Sequence, residues 1–299
     1  MFDLRYHVAS LAAVFLALII GILVGVGISS GGFVKKSERK LLNDRIGDLQ
    51  QQLDAATQQA SQLSEAQRAA QTFIQDSYPA LMDNRLSGKR VALVFVGPID
   101  GRLRTLVERT LADAGATAPL RIRALKVPID LGTMDAVLAS RPGLAAYAGA
   151  TRAADIGQEL GQEFVAGGET PLWTVLSPQL VAERLGGEKD PADAVVVVRS
   201  SPPQQGATAR FLAGFYAGLA SSNIPAVGVE TSTTVPSAMD AFARAHVSSV
   251  DDVDTPAGRL ALAVLLAGGK AGHYGLKASA GSGILPPLEP VPPPTATGG

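Results

Sequence analysis

Arg90-Val91-Ala92-Leu93-Val94-Phe95-Val96, running straight into Gly97-Pro98-Ile99-Asp100-Gly101, is the stretch that decides the fold. An unbroken apolar run of this length reads as a strand buried on both faces, where a half-exposed strand would alternate. After the glycine-bearing turn, Leu103, Leu106, Val107 and Leu111 recur at helical spacing as far as Gly115. Buried strand, glycine turn and helix together open a βαβ unit.

Working downstream, similar apolar runs recur at residues 172–176, 194–198 and 224–229. Helical patterns lie around residues 153–165, 207–219 and 256–266. Strands alternating with helices predict a mostly parallel sheet covered on both faces, here over residues 88–275. Thr255 or Asp254 caps the last helix, with Pro256 at its first position. Residues 276–299 turn to Gly, Ser and then Pro, the composition of a disordered or polyproline tail.

Upstream, residues 33–78 carry a different period. Leu42, Ile46, Leu49, Leu53, Ala56, Ala60, Leu63, Gln67, Ala70 and Ile74 alternate spacings of four and three, the seam of a coiled coil with one polar interruption at Gln67. Aliphatic residues thin to alanine in the middle, so a lone helix would be weak and the segment wants a partner. That partner is a copy of itself or a helix of another protein. Tyr78-Pro79 is expected to close the helix. A disordered Gln/Ala linker is the alternative.

Further upstream, residues 8–28 read VASLAAVFLALIIGILVGVGI, with no charge. As a helix this run is roughly 31 Å long, matching a bilayer core of about 30 Å. It exceeds the ~7–15 apolar residues of a signal peptide, and no A-x-A site follows, so an uncleaved anchor at 1–32 is expected. Ala9, Ala13, Ala17, Gly21, Gly25 and Ser29 recur every fourth residue and present a face of small side chains on which another helix can pack closely. Orientation is contested. Arg5 precedes the run while Lys35, Lys36, Arg39 and Lys40 follow it, which by charge alone keeps the body in the cytoplasm.

Composition removes several classes of function. A formal net charge of −1 gives no global field for nucleic acid, and the absence of cysteine excludes disulfides, thiolate metal sites and a cysteine nucleophile. No glycine-rich nucleotide fingerprint follows the first strand, and neither a GxSxG elbow nor an HExxH pair occurs. No catalytic residue, metal ligand or cofactor is assigned, and the chain reads as a non-enzyme. The ends of parallel strands are the usual place for ligands, which singles out Asp100, Arg199 and Glu230 as pocket candidates. Asp251, Asp252 and Asp254 form a short acidic run without EF-hand spacing.

HVASLAAVFLALIIGILVG at the start, the heptad segment, the block VDDVDTPAGRLALAVLLAG and the closing GHYGLKASAGSGILPP together resemble the actinobacterial copper transport outer membrane protein (MctB-like) family. The resemblance covers nearly the whole chain. It implies a part in copper homeostasis and envelope permeability, or partnership in corynebacterial cell-wall separation, with the body outside the cytoplasmic membrane. It assigns no catalytic or metal residue here. Copper sites favour Met, Cys and His, whereas this chain has four Met, three His and no Cys, without a cluster. His246, His273 and Met239 are the first positions to test. Nor does the sequence hold the many alternating segments of a transmembrane β-barrel. The expectation is a single-pass envelope protein: transmembrane helix, coiled-coil stalk and distal α/β domain. It acts through homo-oligomer or hetero-partner assembly, the alternative being a non-transporting scaffold for cell-wall partners.

Overall fold

The computed structural model describes residues 4–29, 36–149, 152–167, 171–187 and 189–290. The chain divides into two units, Met1–Gln71 and Thr72–Gly299.

The first unit is helical. α1 spans Leu4–Ser29, and Leu11, Phe15, Leu18, Ile22 and Val26 along it are all exposed. Of the small-residue face, Ala13, Ala17, Gly21 and Gly25 are described, and a methyl group added at Gly21 or Gly25 would meet nothing within 4 Å. The side chains of Ala9 and Ser29 lie outside the described residues. Among the described residues no helix is long and apolar enough to cross a membrane.

α2 spans Lys36–Met82 as one helix of 47 residues. Leu42, Ile46, Leu49, Leu53 and Leu63 are 52–69% exposed along it, and Ile74 is 42% exposed. Pro79 does not end the helix as expected. It sits inside α2, and the chain stays helical to Met82 because Tyr78, Leu81 and Met82 pack into the core of the second unit. The lost proline N–H is outweighed by that burial. The second unit therefore begins at Thr72, earlier than residue 88.

In the second unit the strands are β1 (Val91–Val96), β2 (Arg121–Leu125), β3 (Val181–Gly186), β4 (Ala194–Arg199), β5 (Ala226–Val229), β6 (Ser248–Val250) and β7 (His273–Tyr274). They form one sheet of order β3-β2-β1-β4-β5-β6-β7. All pairings are parallel except β2 with β3. The helices are α3 (Gly101–Asp113), α4 (Leu131–Ala139), α5 (Ala153–Ala166), α6 (Pro171–Leu180), α7 (Gly206–Ala220), α8 (Met239–Arg244) and α9 (Pro256–Leu266). On β1, Ala92, Val94 and Val96 face one core with α4 to α8, while Val91, Leu93 and Phe95 face the other with α3, α9 and the end of α2. A strand clothed on both sides has no polar face, hence the unbroken apolar run.

Two helices approach more closely than ordinary side chains allow. A methyl group at Gly214 of α7 would stand 1.9 Å from the Ala154 carbonyl oxygen of α5, and one at Gly161 of α5 would stand 2.4 Å from the Phe215 carbonyl oxygen. Glycine at these crossings brings the backbones together and locks α5 against α7.

Three further features depart from the sequence reading. Residues 172–176 lie in α6 and are not a strand: Leu172, Trp173 and Leu176 are buried as one face of a helix, and a short apolar run fits either element. β2 was hidden because Arg121 and Arg123 interrupt its apolar residues, yet both are buried, and Arg123 Nη1 donates to the Leu185 carbonyl of β3 at 2.9 Å. Residues 276–290 are not a free tail. Gly275 N–H donates to the Gly283 carbonyl at 3.0 Å, and Leu285 packs on the core. Residues 291–299 lie outside the described residues.

Candidate ligand-binding site

Strand order reverses between β1 and β4, because β1 leads to β2 on one side while the later strands add on the other. Such a switch point opens a crevice beyond the carboxyl ends of its strands. Gly97, at φ 115°, turns the chain out of β1, and a methyl group there would lie 2.8 Å from Ser201 Cβ. The Ser200 and Ser201 hydroxyls both donate to the Val96 carbonyl, at 3.2 and 2.7 Å. Asp100 is absorbed locally: its Oδ1 accepts from the N–H groups of Arg102 and Leu103 at 2.8 and 3.0 Å, capping α3.

Arg199 and Glu230, at the ends of β4 and β5, do come together. Arg199 Nη1 donates to Glu230 Oε2 at 3.0 Å, with side chains 6% and 0% exposed. Arg199 Nε donates to the Ser201 carbonyl at 2.8 Å. The rest of the Glu230 carboxylate is taken by Lys277 Nζ (2.6 Å), the Ser237 hydroxyl (2.5 Å) and the Ala238 N–H (3.0 Å). Burial pushes this carboxyl up, but Lys277, Ser237 and Ala238 outweigh it and hold Glu230 below the usual carboxylate range. Lys277 Nζ also donates to the carbonyls of Thr231 and Thr234, both at 2.9 Å.

Lys277 was missed in the sequence because it follows the last apolar run, in a segment whose composition signals disorder. The signal that points to it is the block GHYGLKASAGSGILPP itself. That block meets VDDVDTPAG in space: Asp251 Oδ1 accepts from the Leu276 N–H at 2.8 Å, and Asp251 Oδ2 from the Lys277 N–H at 3.2 Å. Gly275 is required here, since a methyl group on it would stand 2.0 Å from Asp251 Oδ1. Thr255 is the cap of α9, accepting from the Gly258 N–H at 2.9 Å. Asp254 has another task and binds the N–H and hydroxyl of Ser232, each at 2.7 Å. Asp252 is fully buried with Oδ2 on the Thr255 hydroxyl and Oδ1 unpartnered. Burial pushes its carboxyl above the usual range; Thr255 opposes the rise, and the charges of Asp251 and Asp254 add to it.

Beside this network lies a cleft of about 400 Å³ between the segment after β4 and helices α7 and α8. Arg199, Tyr216 and Ser237 reach its lining from the buried side. Among the described residues, soft metal donors are not gathered there or elsewhere. Met82, Met134 and Met239 are core residues, His246 is exposed, and His273 Nδ1 is paired with the Ser249 hydroxyl at 2.8 Å. Among the described residues no three His, Asp or Glu side chains form a metal-holding group.

Fold and site together define a doubly wound α/β body with a polar triad, Arg199, Glu230 and Lys277, at the end of its sheet. Residues 1–285 match the family described as copper transport outer membrane protein, MctB, and the chain belongs to that family. It is similar to the copper transporter MctB of Mycobacterium tuberculosis and that of Mycobacterium bovis. Each is 28% identical over 307 residues, spanning 92% of this chain and 96% of the relative.

Proposed function

We propose that this protein is a membrane-anchored envelope component of copper handling that works by assembling through α2, without chelating copper in a single chain. The observation that carries this reading is the row Leu42, Ile46, Leu49, Leu53 and Leu63, each more than half exposed on an otherwise polar helix. Burying these side chains in a coiled coil contributes roughly 1.5–3 kcal/mol apiece before ordering costs. Self-association is favoured over a charged foreign helix. Arg45, Gln50, Gln52, Thr57, Gln59, Ser64 and Ala66 flank the seam, and Arg45 at a g position faces Gln50 across a parallel pair, so like charges do not face each other across identical helices. Ile46 at an a position with Leu49 at d suits two strands, and Gln67 at a later a position fixes their register.

α1 is the anchor in this reading, supported by its 26 helical residues and by the uncharged run 8–28. Two chains anchored at the same end associate in parallel. The body lies outside the cytoplasmic membrane, as the family description suggests and against the count of flanking charges. Copper enters from the names of the relatives. The donor set argues that any copper movement belongs to the assembly or its partners. The α/β body is a binding module and not a catalyst, since Asp100 and Glu230 are consumed by capping and ion pairing.

The chain has no cysteine, so one introduced thiol reports on one position. Leu53→Cys should form a disulfide-linked dimer in oxidised cells, and Gln51→Cys on the outer face should not. In a copper-sensitive strain lacking the protein, wild type should restore resistance, and the Leu49→Asp/Leu53→Asp variant should not despite equal abundance. Full rescue by that variant overturns the reading. Protection of the body from protease added to spheroplasts with an intact cytoplasmic membrane overturns its placement.

A further inference from the structure

We propose that the cleft between the β4 end, α7 and α8 binds a small carboxylate with a compact apolar body. Val96 and Arg199 both line it, so it opens at the reversal between β1 and β4 where doubly wound sheets hold ligands. Its volume, about 400 Å³, falls in the small-molecule range. The walls are alanine: Ala209, Ala213 and Ala217 recur every fourth residue on α7, and Ala241 lines the cleft from α8. Methyl side chains on both sides leave room that larger residues would fill, and they make the walls apolar.

The deep end is polar. Arg199 is 7% exposed and spends Nε on the Ser201 carbonyl and Nη1 on Glu230, which leaves Nη2 engaged by neither. Glu230 is shared with Lys277, so it does not neutralise Arg199 alone. Tyr216 is 5% exposed, lines the cleft, and its hydroxyl makes no hydrogen bond to any described residue. Burial pushes that phenol well above its ordinary pKa, with Arg199 opposing, so it stays a neutral donor beside a guanidinium. A guanidinium and a phenol converging on one apolar cleft suit an oxyanion of one charge. Arg244 and Asp240 sit on α8 as the other charged lining groups, and Asp240 disfavours a polyanion. Nor is there a glycine-rich phosphate cradle after β1. Asp251 lies in the same buried network but is spent on the Leu276 and Lys277 N–H groups, and it does not line the cleft.

The test uses the full chain in detergent micelles, with benzoate as probe, benzamide as its neutral isostere and saturation-transfer NMR as readout. Ala217→Leu fills the cleft from a half-buried wall position outside the core cluster, and in the same micelles it supplies the background. Tyr216→Phe removes only the hydroxyl, and urea unfolding verifies that both variants keep the fold. Benzoate should bind wild type above background, Ala217→Leu should abolish that signal, and Tyr216→Phe should weaken binding roughly fivefold, the worth of one hydrogen bond. Equal benzoate signals in wild type and Ala217→Leu overturn the site. Benzamide binding as well as benzoate overturns the anionic preference.

Discussion

Glu230 has no exposed surface, yet it carries a charge held between cations 31 and 47 residues away in sequence. Lys277→Met leaves Glu230 with Arg199 as its remaining cation and removes one charged hydrogen bond, so it should destabilise the body by about 1.5–3 kcal/mol in urea unfolding. The pH dependence follows from the same bonds. A carboxyl held below its unfolded pKa contributes stability above that unfolded value and loses it as pH falls through the folded one. Lys277→Met should therefore flatten the acid limb of the stability curve. Asp252 runs the other way. Its folded pKa is raised, so its contribution is complete below the unfolded value and is lost as pH rises through the folded one. Asp252→Asn should be neutral or stabilising at pH 7, and its advantage should shrink at pH 4, measured in the same unfolding assay. Arg199 and Glu230 were legible from sequence because each directly follows an apolar run, and strand ends gather at one edge. Lys277 was not. Its place depends on Asp251 capturing the backbone at 276–277, a contact that no local pattern announces.

At the scale of elements, the strands clothed on both faces were readable, since β1, β4 and β5 carry unbroken apolar runs closed by turn residues. The outer strands were not: β3, at one edge, is exposed along most of its length, and β6 and the edge strand β7 have only three and two residues. β2 escaped because buried arginine looks like surface in a sequence. The α5–α7 crossing rests on glycines that sequence reading passes over as weak helix formers. Gly214→Ala drives a methyl group toward the Ala154 carbonyl and should destabilise by about 1–3 kcal/mol through forced separation of the helices. Gly101→Ala, where a methyl group meets nothing within 4 Å, is the matched control and should leave the unfolding midpoint nearly unchanged.

For the molecule as a whole, the buried methionines and scattered histidines predict no tight stoichiometric Cu(I) binding by the full chain. Competition against a Cu(I) chelator should leave the metal on the chelator. One copper retained per chain would contradict this and direct attention to His246, His273 and Met239. The heptad row was plain in sequence, and in the structure it stands uncovered on a single chain, so the central claim is that a second copy covers it. Sedimentation of the full chain in density-matched detergent, wild type beside Leu49→Asp/Leu53→Asp, tests that most directly. The account predicts a dimer for wild type and a monomer for the double variant, with the same urea midpoint for both bodies. Wild type sedimenting as a monomer, or the two forms sedimenting alike, would contradict it.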